Sequence, residues 1–129
     1  VGLHVGTRLP AHCTSMGRVL LCELPDAELA EFLSSATIEK KTEKTITDPA
    51  ALTNAIRKAA QDGFAIVDEE LEIGLRSLAV PIRDLSGRIV AAINVSTQSA
   101  RTSVDEMEQN FLPLLSQAAG RIEDYFVVQ

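Results

Sequence analysis

The chain has 129 residues, 46% of them apolar, which suits one domain with a single core. Twelve Lys and Arg against eighteen Asp and Glu leave a net charge of −6. With no dense basic stretch, this piece lacks the clustered charge that nucleic-acid phosphates require. No apolar run is long enough to span a membrane.

The start, Val1 to Val5, is a short strand candidate. It carries neither an initiator Met nor a signal-peptide pattern, so the piece is expected to be cut from a longer chain. Gly6 to Pro10 is a loop. A helix is expected over Thr14 to Glu23 and a second over Ala27 to Leu33, behind Pro25. Thr42 to Ile46 is a weak strand. Asp48-Pro49 opens another helix with Leu52, Ile56 and Ala59 on one face, and Asp62-Gly63 closes it. Phe64 to Val67 is a strand, and Asp68 to Gly74 a loop.

Next comes a hairpin, Leu75 to Ile82 and Arg88 to Thr97, turned by Asp84-Leu85-Ser86-Gly87. One face carries Leu78, Val80, Ile82, Ala91, Ile93 and Val95, an ordinary core face. The other carries Ser77, Ala79, Ala92, Asn94 and Ser96, all short and uncharged. Such a face fits a pocket floor, a solvated surface or the seat of a closely packed helix. The room above short residues with a few hydrogen-bonding groups favours the pocket floor.

Ser103-Val104-Asp105-Glu106 has the capping-box pattern and begins the last helix. Its expected buried face is Met107, Phe111, Leu114, Leu115, Ala118, Ile122, Tyr125 and Phe126. Pro113 should bend or break it. The order of elements gives an α+β class, with helices packed on an antiparallel sheet and a long C-terminal helix.

Few residues suggest chemistry. The loop Arg8 to Gly17 runs into a helix start, whose free N–H groups and partial positive charge suit a carboxylate or phosphate. An ordinary N-cap beside a close helix contact at Gly17 fits equally well. Cys13 and Cys22 lie nine residues apart, on opposite sides of a helix, so no disulfide or metal pair follows. Metal ligation by His4, His12 and Cys13 matches no recognised spacing. A cysteine-dependent hydrolase built on Cys13 remains a minor alternative. The run Asp68-Glu69-Glu70-Leu71-Glu72 reads as solvated. Arg76 is expected to pair with a carboxylate, and Arg8 and Arg18 are weaker candidates to meet an acidic ligand.

Three stretches together resemble the IclR family of bacterial transcriptional regulators. Leu9 to Leu21 resembles its L-P-x-H-x-x-x-x-G-(K/R)-x-L-L helix entry. Asp68 to Ile82 resembles its D-(E/G)-E-x-x-x-G-(L/V)-x-(C/S)-(L/I)-A-x-P-(I/V) loop and strand. Ala91 to Ser96 resembles its A-A-(I/L)-(N/S)-(V/I)-S strand. The wording around His12 to Arg18 is similar to regulators of protocatechuate, 4-hydroxybenzoate and β-ketoadipate catabolism.

The resemblance implies a GAF-like effector-binding domain over residues 1–129, normally preceded by a winged helix-turn-helix that this piece lacks. It implies a small aromatic or aliphatic carboxylic acid as ligand, held at Ser15, Met16, Leu75, Ser77, Asn94 and Ser96, with Asp68 less firmly matched. Some members have Cys at the position of Ser77 and Ser at that of Asn94. It further implies that DNA is met only through the missing domain, and a homodimer or tetramer is expected. The unpaired cysteines make a reduced, cytoplasmic setting the default, and the lack of a long apolar run leaves no membrane partner expected. No catalytic residue, metal or cofactor is expected. An oligomerisation domain without a ligand is the alternative.

Overall fold

Capping chemistry sets the helix ends. The computed structural model describes residues 3–127, with side chains through Phe126. A 3-10 turn, Ala11–Cys13, leads into α1, Ser15–Leu21. Thr14 caps α1: its Oγ1 accepts from Gly17 N at 3.2 Å. Helix α2, Asp26–Ser35, follows Pro25 and carries Asp26 and Glu28 in its first turn, where the macrodipole favours them. Helix α3, Pro49–Asp62, starts with proline at its first position, and Asp48 Oδ2 accepts from Ala51 N at 2.9 Å. It ends at Gly63, whose φ of 81° is the left-handed conformation a glycine reaches without strain.

Strands β1 (Ala65–Asp68), β2 (Leu75–Arg83) and β3 (Ile89–Gln98) form an antiparallel sheet in sequence order. The hairpin turn is fastened by Asp84, whose Oδ1 accepts from Ser86 N and Arg88 N. Ser77 pairs with Ser96, Ala79 with Asn94, Val80 with Ile93 and Ile82 with Ala91. The two hairpin faces are therefore sorted as the alternation predicts.

Each face is covered by different helices. One core cluster joins Val19, Leu21, Cys22, Leu29, Leu52, Ile56 and Ala59 from the helices to Ala65 and Ala79. Each fully buried Leu or Ile contributes roughly 1.5–3 kcal/mol before chain entropy is subtracted. The other cluster puts Val80 and Ile82 under the C-terminal helix, against Ala119, Leu112, Leu115 and Ile122.

The last helix differs from expectation in an instructive way. It starts as α4, Val104–Glu106, with Ser103 Oγ accepting from Glu106 N at 3.1 Å. It then widens into a π turn over Met107–Phe111 and continues as α5, Leu112–Val127. Leu112 N bonds to Met107 O, five residues back. The π turn inserts one residue and rotates the later face. The inward stripe becomes Met107 and Ala119, both buried, with Leu112, Leu115 and Ile122 partly buried beside them. Leu114, Ala118, Tyr125 and Phe126 are exposed, contrary to the uninterrupted 3.6-residue spacing. The wide turn lies just ahead of Pro113, which has no N–H to give to an ordinary helical ladder.

Two expected strands are absent. Leu3, His4 and Val5 form no strand, while Val1 and Gly2 lie outside the described residues. Thr42 to Ile46 is a turn, because the Thr45 hydroxyl accepts from Lys41 N at 3.1 Å and Thr42 N at 2.8 Å. A side chain that satisfies nearby backbone N–H groups competes with strand pairing.

A cavity between the helix entry and the hairpin

The face of short residues divides along its length. Ala79 is fully buried in the core cluster that contains Val19 of α1, and Ala92, partly buried, packs against that cluster. There the small residues seat a helix. Further along, Ser77, Asn94 and Ser96 are left uncovered by α1 and line a cavity of about 650 Å³. That volume falls in the usual range for small-molecule sites. Asn94 Nδ2 donates to Ser96 Oγ at 3.3 Å.

Ser15 and Met16 form the opposite wall, with Cys13 and Thr14. As the first residues of α1, Ser15 and Met16 carry N–H groups with no acceptor inside the helix. Thr14 is already committed, donating its hydroxyl to Pro10 O at 2.9 Å while capping Gly17. Gly17 is explained by the protein itself. A Cβ there would sit 2.2 Å from Ala11 O, so it is the 3-10 turn that needs the space.

Leu75 also lines the cavity, so six of the seven residues singled out from the sequence surround one space. Asp68 does not. Its carboxylate holds Arg76 through Oδ1 to Nε at 3.0 Å and Oδ2 to Nη2 at 3.1 Å. Arg76 also donates to the carbonyls of Ser99 and Thr102, tying β2 to the loop before α4. Arg8 is exposed and lines no part of the cavity.

Leu71, Glu72, Ile73 and Gly74 close the third side, and Gln98 and Ala100 lie beyond Ser96. Sequence reasoning missed the 71–74 wall because the acidic run looked solvated. Three of its four carboxylates are in fact paired. Glu70 is only 7% exposed and binds Arg18, itself 4% exposed, at 2.5 Å. Its Oε1 also accepts from Ile46 N at 3.3 Å, and Thr45 donates to its carbonyl at 2.6 Å. Glu69, at a left-handed φ of 61°, binds Lys44 at 2.6 Å and accepts from Gly74 N at 2.6 Å. Lys44 and the Gly74 N–H hold the Glu69 carboxyl below the usual carboxylate range. The loop thus hangs between two anchored glutamates. Glu72 is in no ion pair among the described residues.

The arrangement is ill suited to nucleophilic catalysis. Cys13 is fully buried, and burial first, then Glu70, pushes its thiol up, away from the reactive thiolate. His12 is also buried, with Nε2 spent on Glu39 O at 2.8 Å. Among the described residues no group of three His, Cys, Asp or Glu converges to hold a metal. Among the described residues no helix is long and apolar enough to cross a membrane.

Comparisons with known proteins give the family and the fold. Residues 1–124 match the family described as bacterial transcriptional regulator IclR C-terminal. The Pca regulon regulatory protein of Pseudomonas putida is 50% identical over 119 residues, 92% of this chain and 41% of that protein. The p-hydroxybenzoate hydroxylase transcriptional activator of Acinetobacter baylyi is 33% identical over 123 residues, 95% of this chain and 45% of that protein. The chain thus spans less than half the length of these relatives. A Rhodococcus sp. RHA1 transcriptional regulator has a crystal structure that superposes with a TM-score of 0.92 at 49% identity, covering 96% of this chain and 50% of that one. The Acinetobacter PobR inducer-binding domain, crystallised as a double mutant with 3-hydroxybenzoic acid, gives 0.88 at 32% identity, covering 93% and 69%.

Proposed function

This chain belongs to the IclR family of bacterial transcriptional regulators, as its C-terminal domain, and from that premise we propose that it is the ligand-sensing module of a longer regulator. The ligand is a small carboxylic acid of aromatic catabolism. It lies between the start of α1 and the uncovered stretch of the hairpin. Its carboxylate accepts from the Ser15 and Met16 N–H groups, and Ser77, Asn94 and Ser96 read its far oxygen atoms. Each charge-assisted hydrogen bond of this sort contributes roughly 1.5–3 kcal/mol. A winged helix-turn-helix outside this chain reads the DNA, and binding biases the regulator between states through different affinities for each. The protein works in the cytoplasm as a homodimer or tetramer.

One observation carries this reading. The helix entry and the short hairpin residues bound a cavity of about 650 Å³, in a fold shared with a domain crystallised with 3-hydroxybenzoic acid. Calorimetry with protocatechuate, 4-hydroxybenzoate, β-ketoadipate and glyoxylate tests it. At least one should bind in the micromolar range. If none does, while the chain still assembles in sedimentation, it is an oligomerisation domain without a ligand.

A further inference from the structure

Arg76 stands between two cavity residues, Leu75 and Ser77, yet its own side chain leaves the other face of β2 and lines no part of the cavity. That side chain is 13% exposed and makes four hydrogen bonds. Nε and Nη2 donate to the two Asp68 oxygens, and Nη1 donates to the carbonyls of Ser99, at 3.3 Å, and Thr102. Asp68 ends β1 and is the root of the loop that carries Leu71 to Gly74. Ser99 and Thr102 bracket Ala100, a residue of the lining. We propose that Arg76 is a positioning residue of the acid site: from outside the cavity it fastens the root of the 71–74 wall to the wall at Gln98 and Ala100, and so sets how tightly a carboxylic acid is gripped. This rests on the carboxylic-acid reading above.

A guanidinium suits this task where an ammonium does not. Its planar fork places two N–H groups on one carboxylate and keeps a third nitrogen for carbonyls on the far side. Asp68 and Arg76 are register partners across β1 and β2, so the fork starts from a fixed backbone. The 99–102 stretch lies past the end of β3, and Thr102 is buried, so a carbonyl there that loses its donor is costly. The two walls also meet directly, with Ser99 N donating to Gly74 O at 2.9 Å. Arg76 turns that one bond into a closed ring, from Asp68 through the loop to Gly74 and Ser99 and back through the guanidinium. A site whose supporting residues let its walls drift by about 1 Å loses grip on its ligand. Asp68 offsets the Arg76 charge, so the effect travels through geometry rather than through attraction for the acid.

Two variants separate geometry from charge. Each is titrated as the full chain, at neutral pH and without denaturant, with protocatechuate, 4-hydroxybenzoate, β-ketoadipate and glyoxylate. Arg76→Lys keeps the charge and loses the fork, so acids that bind the unsubstituted chain should bind this variant at least about tenfold more weakly. Asp68→Asn frees the Arg76 charge and should weaken the same acids severalfold, whereas attraction by Arg76 would tighten them. The double variant should bind no more weakly than Arg76→Lys alone, because both changes break one clamp. Amide exchange at Ser99 should quicken in both single variants while β2 and β3 stay protected. Urea midpoints record folding: a residue that only stabilises the fold lowers the midpoint and leaves the affinity of the folded chain alone. Should Arg76→Lys fail to fold, Asp68→Asn, which keeps the bonds to the carbonyls, decides. Unchanged affinity in a folded variant, or tighter binding by Asp68→Asn, overturns positioning by Arg76 and leaves the carboxylic-acid reading standing. If the unsubstituted chain binds none of the four acids, that reading falls and positioning with it.

Discussion

Two walls of the same cavity are built on opposite principles. The hairpin floor is held by the backbone ladder between β2 and β3, so its shape needs nothing from the side chains that face the cavity. The 71–74 wall has only a few backbone bonds, Ser99 N to Gly74 O at 2.9 Å and Leu75 N to Glu72 O at 3.1 Å. Its anchors are side chains from elsewhere: Arg18 and Thr45 on Glu70, and Lys44 on Glu69. The floor should therefore tolerate substitutions that change what it reads. The loop should respond to any loss of charge at its anchors.

Breaking the loop's buried anchor gives the largest expected effect. Glu70→Ala leaves the Arg18 guanidinium buried without its partner, which should cost about 3–5 kcal/mol in urea unfolding. A loss below about 1 kcal/mol would mean that the loop is not held as described. On the floor the expected change is in binding. Ser77→Leu fills the cavity from below and should weaken acid binding by about a hundredfold, with unfolding free energy shifted by about 1 kcal/mol or less. Normal binding by that variant would show that the ligand rests elsewhere.

The smallest effect is a pH response confined to the loop. Glu69 is held below the ordinary carboxylate range by Lys44 first and by the Gly74 N–H second. A lowered folded-state pKa contributes stability above the ordinary range, withdrawn as pH falls through the lowered value. Acidification below that range should therefore speed amide exchange at Gly74 while β2 and β3 stay protected. Lys44→Gln should move the onset to higher pH. Parallel loosening of strands and loop would erase the contrast between the two walls.

Local rules made much of this fold readable. The caps at Thr14, Asp48 and Ser103 follow from one side chain meeting one nearby N–H group. The hairpin faces follow from alternation and a four-residue turn. Non-local pairings were not readable. Arg18 and Glu70 are 52 positions apart, and no pattern within either segment announces that they meet. The π turn misplaced Leu114, Tyr125 and Phe126 because periodicity assumes a constant number of residues per turn. The helix entry was ambiguous at Gly17 because a missing side chain says only that something comes close.

That ambiguity, once resolved, has a practical side. With Ala11 pressed against position 17, the helix entry and the turn before it behave as a single welded part. Anyone reshaping the cavity for bulkier ligands has little freedom there. Room must be carved from the ribbon, at Ser77, Asn94 or Ser96, where trimming or enlarging a residue leaves the scaffold intact.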